Sequence, residues 1–180
     1  PAKPSVLNPD GTTNRLWLSS YVAGVPADIN QNQYQSINAY FDESISKFRP
    51  RVAFVSVGSE LTYGELDKKV QAFAGWLQSQ GVKKGDRVAI MSPNLFQYPV
   101  CLFAILRIGA VVVNVNPLYT ARELAHQLKD SGAETIIVME NFAKTLQDAL
   151  PGTAVKRIVL TQIGDLLGDG INLKGRALNF

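Results

Sequence analysis

Between Ile37 and Thr161 the chain switches repeatedly between two apolar rhythms, and that switching constrains its fold more than any single motif does. Ile37, Tyr40, Phe41, Ile45 and Phe48 fall on one face of a helix, which Pro50 ends. Val52-Ala53-Phe54-Val55-Ser56-Val57 is β-branched and reads as a strand, turned by Gly58-Ser59. Leu66, Val70, Phe73, Ala74 and Leu77 restore the helical spacing over residues 63–80, and Gly81 sits where a left-handed cap belongs. The alternation continues with strands at 87–91, 110–115, 134–139 and 157–161 and helices at 95–108, 121–130 and 142–150. The later strands are apolar without alternation, which means burial on both faces. Such strands alternating with helices define an α/β protein, a mostly parallel sheet with helices on both faces.

Local chemistry supports these boundaries. Thr62-x-x-Glu65 and Thr120-x-x-Glu123 have capping-box spacing, in which the hydroxyl accepts from the glutamate amide and the carboxylate reaches back. Pro99 falls in the first turn or so of its helix, where a missing amide is tolerated. Gly109 and Gly132 close the helices that precede them. Residues 1–35 are rich in Pro, Asn, Gln, Gly and Ser and read as an extended arm. Leu16, Trp17, Leu18, Tyr21 and Val22 are its apolar content, and such a segment is ordered only by lying on something. Residues 36–161 form the α/β subdomain, and 162–180 an irregular tail.

The charge balance is 18 Lys+Arg against 15 Asp+Glu, with the basic residues scattered, so a nucleic-acid surface is not expected. The single cysteine excludes an internal disulfide framework and a zinc cluster. No apolar run approaches the ~18 residues that a membrane-spanning helix needs. There is no signal-peptide core and no initial Met, which suggests a processed or trimmed N-terminus in a cytoplasmic protein.

Motifs that carry chemistry are scarce. There is no G-x-G-x-x-G, no Walker-type phosphate loop and no G-x-S-x-G elbow. Ser92-Pro93-Asn94 follows a strand and reads as a turn with a helix N-cap. His126, two residues from both Leu124 and Leu128, points away from the core as a solvated side chain. Its pairing with Asp130 is one residue short of the H-x-x-x-x-D of glycerolipid acyltransferases. Cys101 lies among apolar neighbours as a small buried hydrophobe. The pairs Asp42/Glu43 and Asp165/Asp169 lack the partners of a metal or acid–base site. Spacing alone therefore gives a parallel α/β domain without a catalytic constellation.

Sequence motifs go further. Leu61-Thr62-Tyr63-Gly64-Glu65-Leu66 resembles the L-T-Y-x-E-L signature of adenylate-forming enzymes, a superfamily of acyl-CoA synthetases, luciferases and adenylation domains. Leu106-Arg107-Ile108-Gly109 through Asn116-Pro117 resembles their L-[KR]-x-G-x-x-x-x-x-x-N-P core motif, and Gly81 through Met91 the G-[VL]-x-x-G-D-R-V-A link. Residues 93–100 and 114–120 are similar to bacterial long-chain fatty acid–CoA ligases.

The resemblance implies a partial N-terminal domain of an enzyme several hundred residues long. Such an enzyme uses ATP, Mg and CoA to activate a long-chain fatty acid as an acyl-adenylate and then transfer the acyl group to CoA. It leaves room for a homodimer and for peripheral contact with the inner membrane surface. The family's phosphate loop, magnesium glutamate, ribose-binding motif and C-terminal-domain lysine all lie downstream of the matching positions. The fragment is therefore expected to be inactive and to bind none of these cofactors. None of the matching positions is a catalytic, cofactor-binding or metal-binding one in the family, so this chain has none of these residues to carry over. The alternative is a stand-alone α/β binding or interaction module.

Overall fold

A computed structural model of the protein describes residues 14–167. The chain divides into two compact units, Pro1–Gln35 and Ser36–Phe180. In the first, a short 3-10 helix, Leu16–Ser20, is the one regular element among the described residues. Arg15 anchors the unit to itself: its guanidinium donates to both carboxylate oxygens of Asp28, at 3.0 and 2.8 Å, and to the Ala27 carbonyl. Leu16, Trp17 and Tyr21 are exposed.

The second unit begins with α1, Ile37–Phe48, capped by the Ser36 hydroxyl, which accepts from the Ala39 amide. Strands β1 (Val52–Ser56) and β2 (Ser59–Thr62) follow, and then α2, Tyr63–Ser79. The remainder runs β3 (Arg87–Met91), α3 (Gln97–Arg107), β4 (Val111–Asn114), α4 (Ala121–Ser131), β5 (Thr135–Met139), α5 (Ala143–Ala149) and β6 (Arg157–Thr161). A 3-10 turn at Glu140–Phe142 leads into α5.

Strands β3 to β6 make one parallel sheet in the order β4-β3-β5-β6, with Ile90 opposite Ile137 and Ile136 opposite Ile158. One face packs on α1, α2 and α3 through Phe41, Leu66, Val70, Leu77 and Ile105. The other packs on α4 and α5 through Leu124, Leu128 and Leu146. Both capping boxes form. The Thr62 hydroxyl accepts from the Glu65 amide at 3.2 Å while the Glu65 carboxylate accepts from the Thr62 amide at 2.8 Å; Thr120 and Glu123 repeat the pattern. At the end of α2, Gly81 takes φ +83°. Its amide donates to Gln78 and the next, Val82, to Leu77, the paired bonds of a left-handed helix terminus.

The structure corrects four local expectations. The first strand is not part of the parallel sheet. It folds back on residues 59–62, read as turn and loop, into a separate antiparallel hairpin. A two-residue hairpin loop, Val57-Gly58, makes that pairing, and no apolar run announced β2. Full burial of the later strands holds for β5 and for most of β3, but β4 and β6 are partly exposed because they are the sheet's edges. Helix α3 starts at Gln97 with no side-chain cap, so neither Ser92 nor Asn94 caps it; the Ser92 hydroxyl instead donates to the Pro93 carbonyl. Phe73 lies at the margin of the α2 stripe, half-buried, where it stacks on Trp76 rather than entering the core.

The hairpin loop carries a backbone anomaly. Val57 has φ +49° and Gly58 φ +64°. Both positions of such a loop require positive φ, which suits Asn-Gly, and a β-branched residue there is an outlier costing on the order of 1–3 kcal/mol.

Candidate functional site

In an open parallel sheet, ligands collect beyond the carboxyl ends of the strands, where neighbouring strands send their connections in opposite directions. Here that place lies between β3 and β5. The chain leaves β3 through α3 toward β4, and leaves β5 through α5 toward β6, with α3 and α5 packed on opposite faces.

The polar groups at this rim are largely occupied with one another. Gln97, buried at the start of α3, donates through Nε2 to the Gln162 carbonyl at 2.6 Å. Gln162 donates through its side chain to Glu140 Oε2 at 2.7 Å. The Gln162 amide and the Thr161 hydroxyl both donate to Asp165, at 2.7 and 3.0 Å. Tyr98 donates its phenol proton to Asn114 Oδ1 at 3.1 Å, and Gln127 donates to the Asn114 carbonyl at 2.7 Å. These bonds tie α3, α4 and the segment after β6 to the strand ends. They give the rim rigidity, not a reactive group.

Beside the rim runs an apolar groove of about 420 Å³ between α2, α3 and β6. Phe73 and Trp76 form one wall, their rings parallel within 9° at 5.6 Å; Val100, Val159 and Leu160 line the rest, and Lys69 and Asp165 stand at its margin. Its chemistry is binding by shape and apolar contact. Cys101 also lines it, but burial pushes this thiol up to about 12, so it stays protonated and unreactive.

The remaining candidates fall as follows. His126 is exposed on α4, as its spacing predicts. Asp42 is a structural ion: it pairs with Arg107 at 2.7 Å, which also reaches Asp67 at 3.4 Å, and Arg49 adds a 3.5 Å contact to Asp67. Asp165 serves the turn after β6, and Asp169 lies outside the described residues. Among the described residues no group of three or more His, Cys, Asp and Glu is placed to hold a metal, and no helix is long and apolar enough to cross a membrane. The buried polar pair Asp67 and Gln97 escaped the sequence reading. The available signal was a polar residue standing inside an apolar helix stripe.

A model of the AMP-binding enzymes covers residues 41–174. This chain belongs to the AMP-binding enzyme family.

Among curated proteins, it is 50% identical to the long-chain-fatty-acid–CoA ligase of Escherichia coli over 167 residues, which is 92% of this chain and 29% of that protein. It is 45% identical to the Haemophilus influenzae enzyme of the same name over 157 residues, 87% of this chain and 28% of that one. Among solved structures, a long-chain-fatty-acid–CoA ligase from Archaeoglobus fulgidus superposes with a TM-score of 0.65 at 25% identity, over 79% of this chain and 29% of that one. The chain thus spans under a third of the length of the relatives it matches. The alignment with the Escherichia coli enzyme reaches into the first 35 residues, which the family model leaves out.

Proposed function

We propose that this chain is the N-terminal part of a long-chain fatty acid–CoA ligase, an enzyme that joins a long-chain fatty acid to CoA at the expense of ATP. The observation that carries this reading is 50% identity to the Escherichia coli ligase across 92% of the chain. An alignment that reaches into the arm, beyond the general family model, favours the long-chain class over other members.

The residues of this chain do not themselves fit a nucleotide. The sequence has no glycine-rich phosphate loop with its lysine, and the strand-end amides and carboxylates are engaged with one another. This chain's contribution is architectural: Thr62–Glu65 and Arg107–Gly109, which lie in the family's motifs, cap a helix and end another. By itself the chain forms no acyl-CoA.

We read residues 1–35 as an extended arm ordered by contact, 36–161 as the α/β subdomain and 162–180 as an irregular tail. In the parent, a homodimer and peripheral membrane contact go with the arm's exposed Leu16, Trp17 and Tyr21.

The encoding open reading frame is the first test. A frame several times longer than 180 codons, whose product forms acyl-CoA from palmitate, ATP and CoA, is the expected result. A frame ending near codon 180 supports the stand-alone module instead. Titration calorimetry of this chain with Mg-ATP is expected to show no binding; micromolar affinity would refute the architectural assignment.

A further inference from the structure

Basic residues that are scattered along the sequence are gathered by the fold. A parallel sheet receives all its strands from one pole, so residues that open its strands become neighbours there. Arg87 opens β3, and Arg157 opens β6 opposite Thr135, the first residue of β5. Lys83 and Lys84 stand in the turn before β3, whose Gly85 amide donates to the Gly109 carbonyl at 3.0 Å, just ahead of β4. Lys156 precedes β6, and Lys129 lies in the last turn of α4.

Three of these cations sit at helix ends. The Lys84 stem and the guanidinium groups of Arg87 and Arg157 lie 3.0, 3.4 and 3.6 Å from where a Cβ would stand on Gly109, Gly132 and Gly81, the glycines that close α3, α4 and α2. There they face the partly negative carbonyl ends of the helices, which explains one cation per helix and not the surplus. The segments 83–87, 129–134 and 156–157 carry six cations and three carboxylates, an excess equal to the +3 of the whole chain. Glu134 pairs with Lys156 at 2.7 Å, and Asp86 accepts from the Lys83 amide at 2.8 Å. Among the described residues the other five cations have no ion pair, and Lys83, Lys84, Arg87 and Lys129 are exposed.

We propose that this pole is an electrostatic docking surface for an anionic lipid bilayer. Cations held together without counter-ions attract a surface of opposite sign. Arg87 and Arg157 stand two strands apart, about 10 Å at ordinary strand spacing, too far to share one small anion. The pole is at the opposite end of the strands from the rim where ligands collect, so a bilayer held there leaves that rim open. The choice of a bilayer rests on the ligase reading, in which the acid to be activated is a long apolar chain that partitions into lipid.

The test is co-sedimentation of the full product of the reading frame with vesicles, either pure phosphatidylcholine or equal parts phosphatidylcholine and phosphatidylglycerol. Binding is expected to the anionic vesicles alone, and to weaken steeply as salt shortens the screening length. A lysine beside an anionic bilayer strengthens binding about fivefold, so Lys83→Gln with Lys84→Gln is expected to weaken it roughly 25-fold. Lys47→Gln with Lys144→Gln removes the same charge from exposed positions elsewhere and is expected to leave binding nearly unchanged. Should the double variant at the pole fail to fold, Lys83→Gln alone decides, with an expected loss of about fivefold. Equal losses in the two doubles mean that net charge alone acts and overturn the proposal. Equal binding to both kinds of vesicle overturns it too, as does binding that survives high salt and disappears with Trp17→Ala, which assigns the contact to the arm. Retention on RNA without binding to anionic vesicles gives the pole to nucleic acid and refutes it. A product that forms no acyl-CoA from palmitate defeats the ligase reading; one that forms it yet ignores anionic vesicles defeats this proposal alone.

Discussion

Strands β1 and β3 are both short apolar runs, and they have opposite fates. Val52-Ala53-Phe54-Val55-Ser56 is mostly exposed, whereas Val88-Ala89-Ile90-Met91 is buried almost completely. The difference lies in what surrounds each strand. β3 has a parallel neighbour on either side, α1 to α3 over one face and α4 and α5 over the other. β1 has one short antiparallel partner and an open cavity. β-propensity registers that a residue fits a pleated surface; it does not register whether anything covers that surface.

A reactive thiol reads this contrast with the greatest range. Cys101, packed beneath the sheet on α3, is raised from the ordinary cysteine value of 9.0 to about 12 by burial, which lowers its thiolate population about 10³-fold. Ellman's reagent is expected to modify it very slowly in the native chain and rapidly after denaturation. A cysteine placed in the hairpin by Val55→Cys is expected to react natively at an ordinary rate. Equal native rates at the two sites would mean that both regions are open or both are closed, and the contrast would fail.

Truncation gives the next largest effect. Ile90→Ala removes a side chain that is 1% exposed and leaves a cavity, so it is expected to cost about 2–5 kcal/mol in urea unfolding. Val55→Ala on the hairpin is expected to stay within about 0.5 kcal/mol in this chain. Phe73→Ala lies between them. Its ring is half-buried against Trp76 on the groove wall, so roughly 1–2 kcal/mol is expected, less than a core phenylalanine would lose. A Phe73 variant as damaging as Ile90→Ala would put its ring in the core after all.

How much of this was legible in the sequence follows from the same contrast. Helical spacing located α1, α2 and α4, and the Thr-x-x-Glu pairs fixed two helix starts to the residue, because capping is a local interaction. The parallel class followed from apolar strands alternating with helices. The hairpin did not, because Ser59–Thr62 is short and polar and pairs only once Val57-Gly58 has turned the chain. Phe73 was misplaced by one step around the helix: it shares spacing with Val70 and Leu77, but only the packed structure shows where the stripe ends. The absence of a catalytic set was a reading of motifs. The polar rim around Gln97 and Gln162 joins residues 65 positions apart, which no local pattern signals.

The smallest effect tests the most local interaction. In the capping box of α2 the Glu65 carboxylate is held below its ordinary value, chiefly by the hydrogen bond from the Thr62 amide and then by the Thr62 hydroxyl; Glu123 is lowered in the same way by Thr120. A carboxylate whose value in the folded chain is depressed adds stability above its unfolded value, and loses that contribution as pH falls through the folded one. Glu65→Gln keeps the side-chain shape but removes the charge. The Tm gap between wild type and this variant is therefore expected to be constant near neutral pH and to narrow below about pH 4.5, closing as the folded carboxylate is protonated. Because Glu65 lies largely in solvent, added salt is expected to shrink the charge-dependent part of the gap. A gap that stays constant into acid would show that the box holds α2 through neutral hydrogen bonds alone. The start of α2 would then owe none of its stability to the charge of Glu65.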